Sequence, residues 1–230
     1  MSRQIPLDLA HQEAFSRDDL IVTPANARAV SLIENWPEWP APVVILAGPA
    51  GSGKTHLSAI WREEADAFDV KVDAIGPREI QCAGNRPVLI DNADGAGLDE
   101  NGLFHLINAA RGGGQPMLLT ARRFPAAWGV KLPDLLSRLK AAATVEIDEP
   151  DDILLAGVIT KLFADRQIEV EPHVVQYLVR RIERSLSSAI RAVELLDRAA
   201  LERKSRITRG LASEVIEAME HGVTEDISNA

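Results

Sequence analysis

The chain has 230 residues, 34 acidic side chains against 25 basic ones, a formal net charge of -9, and 46% hydrophobic and 26% charged residues. That balance suits a globular protein able to bury a core without disulfides or metals, and it excludes intrinsic disorder, collagen-like repeats and a disulfide scaffold, since Cys82 is the one cysteine. The acidity argues against wholesale coating of nucleic acid, which needs a basic surface.

The first twenty residues (1–20) are polar and irregular, apart from a short alternation at Gln4-Ile5-Pro6-Leu7-Asp8-Leu9, and read as a flexible segment. They lack the apolar stretch of a signal peptide. The longest apolar run, Val43 to Ala47, is far short of the roughly 20 residues a bilayer requires. A cytoplasmic protein without a membrane partner is expected. A helix is predicted from Asn26 to Glu34, because Ala29, Val30 and Ile33 share a face. Pro37, Pro40 and Pro42 forbid regular structure until Val43. Strands are then predicted at 43–47, 70–75, 87–91 and 116–120, with helices from Lys54 to about Ala67 and over 100–111. Apolar strands separated by helices indicate a parallel sheet between layers of helices. Val88-Leu89-Ile90 and Met117-Leu118-Leu119 are apolar without alternation, as central strands buried on both sides should be.

After Pro150 the pattern changes. Segments 151–166, 172–184, 187–204 and 209–220 are all helix-periodic, with Asp151 and Asp152 as N-terminal acids. The expected organisation is therefore an α/β domain over 21–150, a small all-helical domain over 151–220 and a frayed acidic tail over 221–230. Between Arg180 and Arg209 nine basic residues stand against four acidic ones. Such a stretch reads either as solvated helix faces or as a contact with DNA or a partner.

Gly48-Pro49-Ala50-Gly51-Ser52-Gly53-Lys54-Thr55 fits the G-x-x-x-x-G-K-[ST] pattern, directly after a strand and opening a helix. The glycines let successive backbone N–H groups face phosphates at the positive helix end. Lys54 offers a point charge to the β- and γ-phosphates, and the Thr55 hydroxyl can ligate Mg²⁺. The second half of such a site is an acid ending a buried strand, and Val88-Leu89-Ile90-Asp91 supplies it, with Asp91 placed to hold Mg²⁺ through water. Its neighbour is Asn92, which cannot accept a proton from an attacking water, and Asp94 lies two residues further on. Nucleotide binding is signalled; hydrolysis by this chain alone is not.

These motifs, in this order, resemble the DnaA-related group of AAA+ proteins over about residues 20–220. The glycine loop continues as Gly53-Lys54-Thr55-His56-Leu57, and Leu118-Leu119-Thr120 places Thr120 at the sensor-1 position. Leu132-Pro133-Asp134-Leu135-Leu136-Ser137-Arg138-Leu139 resembles box VII, with Arg138 as the arginine finger. Asn26-Ala27-Arg28-Ala29 resembles the element beside the adenine pocket. The resemblance implies an AAA+ P-loop domain followed by a helical lid, with ADP or ATP and Mg²⁺ as cofactors. Asn26, the loop Gly48–Thr55, His56 and Arg191 would bind the nucleotide, Thr55 and Asp91 the metal. His56 also reads as a residue that packs or caps locally. The lid position where the group carries its sensor-2 arginine is Ser187, and either Arg191 or Arg184 would have to substitute. Arg138 also reads as a surface residue paired with Asp134 one turn back.

Three departures from the replication initiator define the branch. The chain ends just after the lid, the gap from Gly76 to Arg86 is too short for a pair of DNA-holding helices, and Gln4-Ile5-Pro6-Leu7-Asp8-Leu9 resembles a peptide that docks on the sliding clamp. An extended segment can lay Ile5, Leu7 and Leu9 into an apolar groove while the Gln4 amide bonds its edge. The resemblance then implies a regulator of replication initiation held on the DNA-loaded clamp, contacting DNA only indirectly. It presents Arg138 in trans to ATP on the initiator DnaA, with catalytic support from Asp91 and Thr120 in the nucleotide site, and self-association is also allowed. The competing readings are an autonomous AAA+ ATPase, such as a helicase loader or DNA-remodelling motor, and a small-molecule P-loop kinase. Asn92 and Ser187 count against the first, and the all-helical C-terminal third against the second.

Overall fold

Strand β1 (Val43–Ala47) is the hinge of the architecture, because its alternate side chains enter two different cores. Val43 and Ile45 join one apolar cluster and Val44 and Leu46 the other, as the two-residue period of a strand requires. The computed structural model describes residue 17 and residues 20–221. The clamp-peptide residues Gln4, Ile5, Leu7 and Leu9 lie outside them, as does the tail expected over 221–230 apart from His221.

Strands β1, β2 (Phe68–Asp69), β3 (Val88–Ile90), β4 (Met117–Ala121) and β5 (Ala143–Glu146) form one sheet in the order β2-β3-β4-β1-β5. Every pairing is parallel. The three central strands are buried along their whole length, which is why they read as unbroken apolar runs. One face of the sheet is covered by α3 (Pro77–Ala83), α4 (Glu100–Gly112) and α5 (Pro133–Lys140), through Ala83, Leu103, Leu106, Leu135 and Leu139. The other is covered by α1 (Ala27–Glu34) and α2 (Lys54–Glu64), through Ala29, Ile33, Leu57 and Trp61. Helices α6 (Asp152–Asp165), α7 (Pro172–Val179), α8 (Leu186–Arg203) and α9 (Arg209–Glu220) share a separate core around Leu155, Phe163, Leu178, Leu196 and Val215. Among the described residues no helix is long and apolar enough to cross a membrane.

Three expectations are corrected. The second strand is Phe68–Asp69, paired with Val88 and Leu89, and not 70–75. Val70, Val72 and Ile75 mimic a strand because all three are buried, yet they belong to a connection that turns at Ala74, whose N–H bonds the Lys71 carbonyl at 3.1 Å. Strand β5 was not anticipated: it is a sheet edge, only partly buried, and its sequence Ala-Thr-Val-Glu lacks an apolar run. Helix α7 stops at Val179 and not at 184, with Arg181 and Ile182 both turning back to the Leu178 carbonyl. In the Gly76–Arg86 gap there is a single helix, the seven residues of α3.

Helix α5 has Leu135 and Leu139 fully buried, with Asp134, Ser137 and Arg138 on its exposed face. Leu139→Ala is expected to cost about 2–5 kcal/mol in denaturant unfolding. Lys140→Ala on the exposed face should stay within about 0.5 kcal/mol of the parent.

Candidate nucleotide site

The carboxyl ends of parallel strands are where such sheets build sites, and the register here aligns them: Leu46 lies beside Thr120, Ala47 beside Ala121, and Ile90 beside Leu119. The glycine loop leaves β1 at this edge. The Gly48 N–H donates to the Ala121 carbonyl at 3.1 Å, and a Cβ on Gly48 would run into the Ile147 backbone. Gly51 and Gly53 have φ of 71° and 99°, a region that an L side chain enters only with strain. Helix α2 then begins at Lys54 with Gly53 as its N-cap and no side chain bonding its first amides. Asp99, Asp151, Ser185 and Thr208 cap α4, α6, α8 and α9 with their own side chains, while α1, α5 and α7, like α2, have no side-chain cap. An uncapped N-terminus at the end of a glycine turn is a ready anion cradle.

Lys54 folds back over this loop, donating to the carbonyls of Gly48 at 2.8 Å and Pro49 at 2.6 Å and approaching Ser52 Oγ at 3.3 Å. Burial lowers the pKa of its ammonium; the nearby Asp91 opposes that shift and the Arg122 charge adds to it. Thr55 Oγ1 donates to Asp91 Oδ2 at 3.2 Å, and the Thr120 hydroxyl bonds the other carboxylate oxygen, Oδ1. The Asn92 N–H in turn donates to Thr120 Oγ1 at 2.8 Å, from a left-handed backbone with φ of 59°. Lys54, Thr55, Asp91 and Thr120 are thus brought together as one cluster from the carboxyl ends of β1, β3 and β4. Asp94 is near enough for its charge to favour the Lys54 ammonium, but its carboxylate is bonded to backbone. Its carboxylate accepts the N–H groups of Arg122 at 2.9 Å and Arg123 at 3.2 Å.

The lid closes on this loop through α8. The Leu186 N–H donates to the Gly51 carbonyl at 2.8 Å, a Cβ on Gly51 would overlap Ser185, and one on Gly53 would come within 3.2 Å of Leu186 Cδ1. Ser185 and Leu186 were not among the residues expected here. The signal was present, since a serine followed by a helix-periodic run is an N-cap, and the cap places α8 one residue earlier than the pattern alone.

The remaining expected residues are placed as follows. Asn26 is buried and its amide is used by its own segment, accepting from the Thr23 N–H at 2.8 Å and donating to the Ile21 carbonyl at 2.8 Å. It therefore shapes the turn that lays Ile21 against Gly157 of the lid; its side chain is a support of that turn and has its polar atoms engaged there. His56 is half-buried in the first turn of α2. Arg184 is committed to the lid, bonding Asp152 Oδ1 at 2.7 Å and the Pro150 carbonyl at 3.3 Å. Arg191 is exposed on α8, one turn beyond the exposed Ser187. Arg138 is exposed on α5, and among the described residues no carboxylate pairs with it, Asp134 included.

The oxygen donors suit Mg²⁺ rather than a metal held by protein alone. The described residues contain no group of three or more His, Cys, Asp or Glu able to hold a metal ion, whereas Thr55 Oγ1 and the Asp91 carboxylate converge at the mouth of the glycine loop. Mg²⁺ takes one or two protein oxygens and completes its shell with phosphates and water.

Residues 158–216 match the family model for the lid domain of Hda. An uncharacterised protein of Haemophilus influenzae is 26% identical over 90% of this chain and 96% of its own length. The chromosomal replication initiator protein DnaA of Caulobacter vibrioides is 27% identical over 90% of this chain, and the chain spans 49% of that initiator's length. Among solved structures, AMPPCP-bound DnaA from Aquifex aeolicus shares the fold with a TM-score of 0.73 at 18% identity, over 94% of this chain and 74% of its own. A parallel sheet ending in a glycine loop, with a helical lid resting on that loop, gives this chain an AAA+ fold, and in sheet and lid it is similar to the DnaA-related proteins.

Proposed function

We propose that the chain is a nucleotide-holding regulator of replication initiation which, seated on the sliding clamp through Gln4, Ile5, Leu7 and Leu9, stimulates ATP hydrolysis by the initiator DnaA and so inactivates it. The observation that carries this reading is Arg138, an exposed arginine without a carboxylate partner among the described residues, on a helix whose opposite face is locked into the core by Leu135 and Leu139. A guanidinium held out on a rigid helix is suited to a phosphoryl group bound by another molecule. There, water adds to the γ-phosphorus as the bond to the bridging oxygen breaks, releasing ADP and inorganic phosphate. A trans arginine neutralises the charge that develops on the transferring group, worth roughly 10³–10⁵ in rate in well-studied systems.

On its own glycine loop the protein is better fitted to hold than to turn over. Mg²⁺ would sit on Thr55 and the Asp91 carboxylate and screen the phosphate charge, while Lys54 and the α2 amides cradle the phosphates and Thr120 orients Asp91. Beside Asp91 there is Asn92, which has no carboxylate, and Asp94 is tied to two backbone amides. Neither is placed to take a proton from an attacking water. The AMPPCP carried by the Aquifex initiator supports a nucleoside di- or triphosphate as the ligand.

The decisive assay combines the clamp on DNA, ATP-bound initiator and this protein, and reads phosphate release. Stimulation that requires all three is expected; equal turnover by the protein alone, with or without DNA, would favour the autonomous ATPase instead. Arg138→Ala should fold and bind nucleotide normally yet lower the stimulation by at least about tenfold; full stimulation would remove the trans role. Lys54→Ala should lose the nucleotide that copurifies with the parent, read by chromatography of the denatured protein. Gln4→Ala with Leu7→Ala should abolish retention on immobilised clamp and leave nucleotide content unchanged; loss of both would make the segment part of the fold.

A further inference from the structure

The basic stretch from Arg180 to Arg209, nine basic residues against four acidic ones, is gathered in part by one tyrosine. Tyr177 on α7 is half-buried, and its hydroxyl donates to Ser213 Oγ on α9 at 3.1 Å. Arg181, just past α7, holds its guanidinium carbon 5.4 Å from the centre of that ring. Arg209, the first residue of α9, holds its own at 5.2 Å. Both arginines are exposed, as are Arg180 and Arg206, close to them in the chain.

The fold does not balance this charge. Among the described residues none of the four has a carboxylate partner. The acids closest in sequence are engaged elsewhere: Glu214 with Arg203 at 2.6 Å, Glu217 with the Ser213 hydroxyl at 3.2 Å, and Glu183 with the Ser188 hydroxyl at 3.4 Å. Arg209 also occupies the first turn of α9, where the helix dipole disfavours a cation, and that turn contains no acid. Two guanidinium groups gathered on one ring at a positive helix end are a place prepared for an anion from outside.

We infer that this face of the lid is a contact for the backbone phosphates of duplex DNA, with Arg181 and Arg209 at its centre and Arg180 and Arg206 beside them. Three observations select the occupant. The cations are arginines, whose planar forks make two-pronged bonds to phosphate oxygens, and a duplex carries one such charge per about 1.7 Å of its axis, enough to serve several of them at once. The ring is half-buried and already engaged by both guanidinium groups, so it is no platform for an unpaired base of the kind that single-strand sites use. With a net charge of -9, the rest of the chain repels DNA, which confines the contact to this face and gives it a direction. The sequence resemblance implied DNA only through a clamp; here the lid touches the duplex itself, without regard to base sequence. The inference depends on neither the glycine loop nor the clamp.

The test follows the fluorescence anisotropy of a short labelled duplex titrated with the full chain, without clamp or added nucleotide, over a salt series. The parent should bind at low salt with a Kd of about 10⁻⁶–10⁻⁴ M, as sequence-independent contacts do. Arg181→Ala with Arg209→Ala should weaken binding by about tenfold or more and lower the slope of log affinity against log salt by about 2. Lys71→Ala with Arg78→Ala removes the same charge from exposed positions of the sheet domain and should stay within about twofold of the parent. Arg206→Glu leaves the packing on Tyr177 intact and should also weaken binding, by about tenfold. If the double variant melts below the parent, Arg206→Glu decides: unchanged affinity overturns the inference and a loss upholds it. No binding by the parent at low salt, undiminished binding by the double variant, or an equal loss from the Lys71 and Arg78 pair overturns it as well. So does a poly-glutamate peptide that competes as well as unlabelled duplex at equal charge, an outcome that would assign the face to an acidic protein surface.

Discussion

The Leu186 N–H and the Gly51 carbonyl, 2.8 Å apart, join two bodies that otherwise have separate cores. One body is built around the sheet, the other around α6–α9. The bond is available only because residue 51 has no side chain: a Cβ there would overlap Ser185, and the backbone already sits at φ 71°. The same residue that lets the loop curl around an anion therefore lets the lid come down on it. The α8 N-terminus is capped by Ser185 and has no need of a ligand, whereas the α2 N-terminus has no side-chain cap. A phosphate on the loop would satisfy the second directly and stiffen the surface on which the first rests. Ligand binding to the folded form adds stability in proportion to the logarithm of its saturation, and here that contribution would fall on the seam between the two cores.

Arginines with different partners divide the remaining work. Arg184 is held inside the lid by Asp152 and the Pro150 carbonyl, which fixes the entry of α6 relative to the turn before α8. Arg123 is held by Asp94, itself buried under two amides. Arg122 and Arg138 have no such carboxylate partner among the described residues. An arginine left without a counter-ion loses little in water, since surface pairs are worth under about 1 kcal/mol.

The sheet was legible because its central strands are dry on both faces: β1, β3 and β4 show as apolar runs and could be placed to within a residue. The edges were not. Phe68–Asp69 and Ala143–Glu146 each have a neighbour on one side only, so burial left little mark on them, while the buried loop residues Val70, Val72 and Ile75 carried a stronger strand pattern than the strand itself. In the site, Lys54, Thr55, Asp91 and Thr120 were readable because their chemistry needs fixed residue types at fixed places. Ser185 carried only the general signal of an N-cap, and Leu186 acts through its backbone N–H, which its residue type does not reveal. Asn26, expected beside the adenine pocket from its motif, has its amide bonded within the Ile21–Thr23 turn, a role that no pattern of residue types announces.

The helix that bears Arg138 is anchored independently of the lid. The Glu100 carboxylate receives the N–H groups of Lys131 at 3.0 Å and Leu132 at 2.6 Å, fixing the residues just before α5 to the start of α4. Leu135 and Leu139 fix the other side of the helix in the sheet core. No part of α8 or of the glycine loop enters these contacts. A trans arginine must arrive within hydrogen-bonding distance of another molecule's phosphate, and every rotamer or helix motion left open subtracts from the gain. Anchoring α5 to α4 removes the helix's share of that freedom before any partner is met. In the proposed role, the nucleotide on Gly48–Thr55 would then act on the lid and on the surfaces the lid presents, whereas the aim of Arg138 is set by the sheet domain alone. Holding a nucleotide and acting on one would thus be assigned to different elements of the same small chain, which is why a site lacking a proton acceptor at Asn92 need not weaken the activity offered by α5.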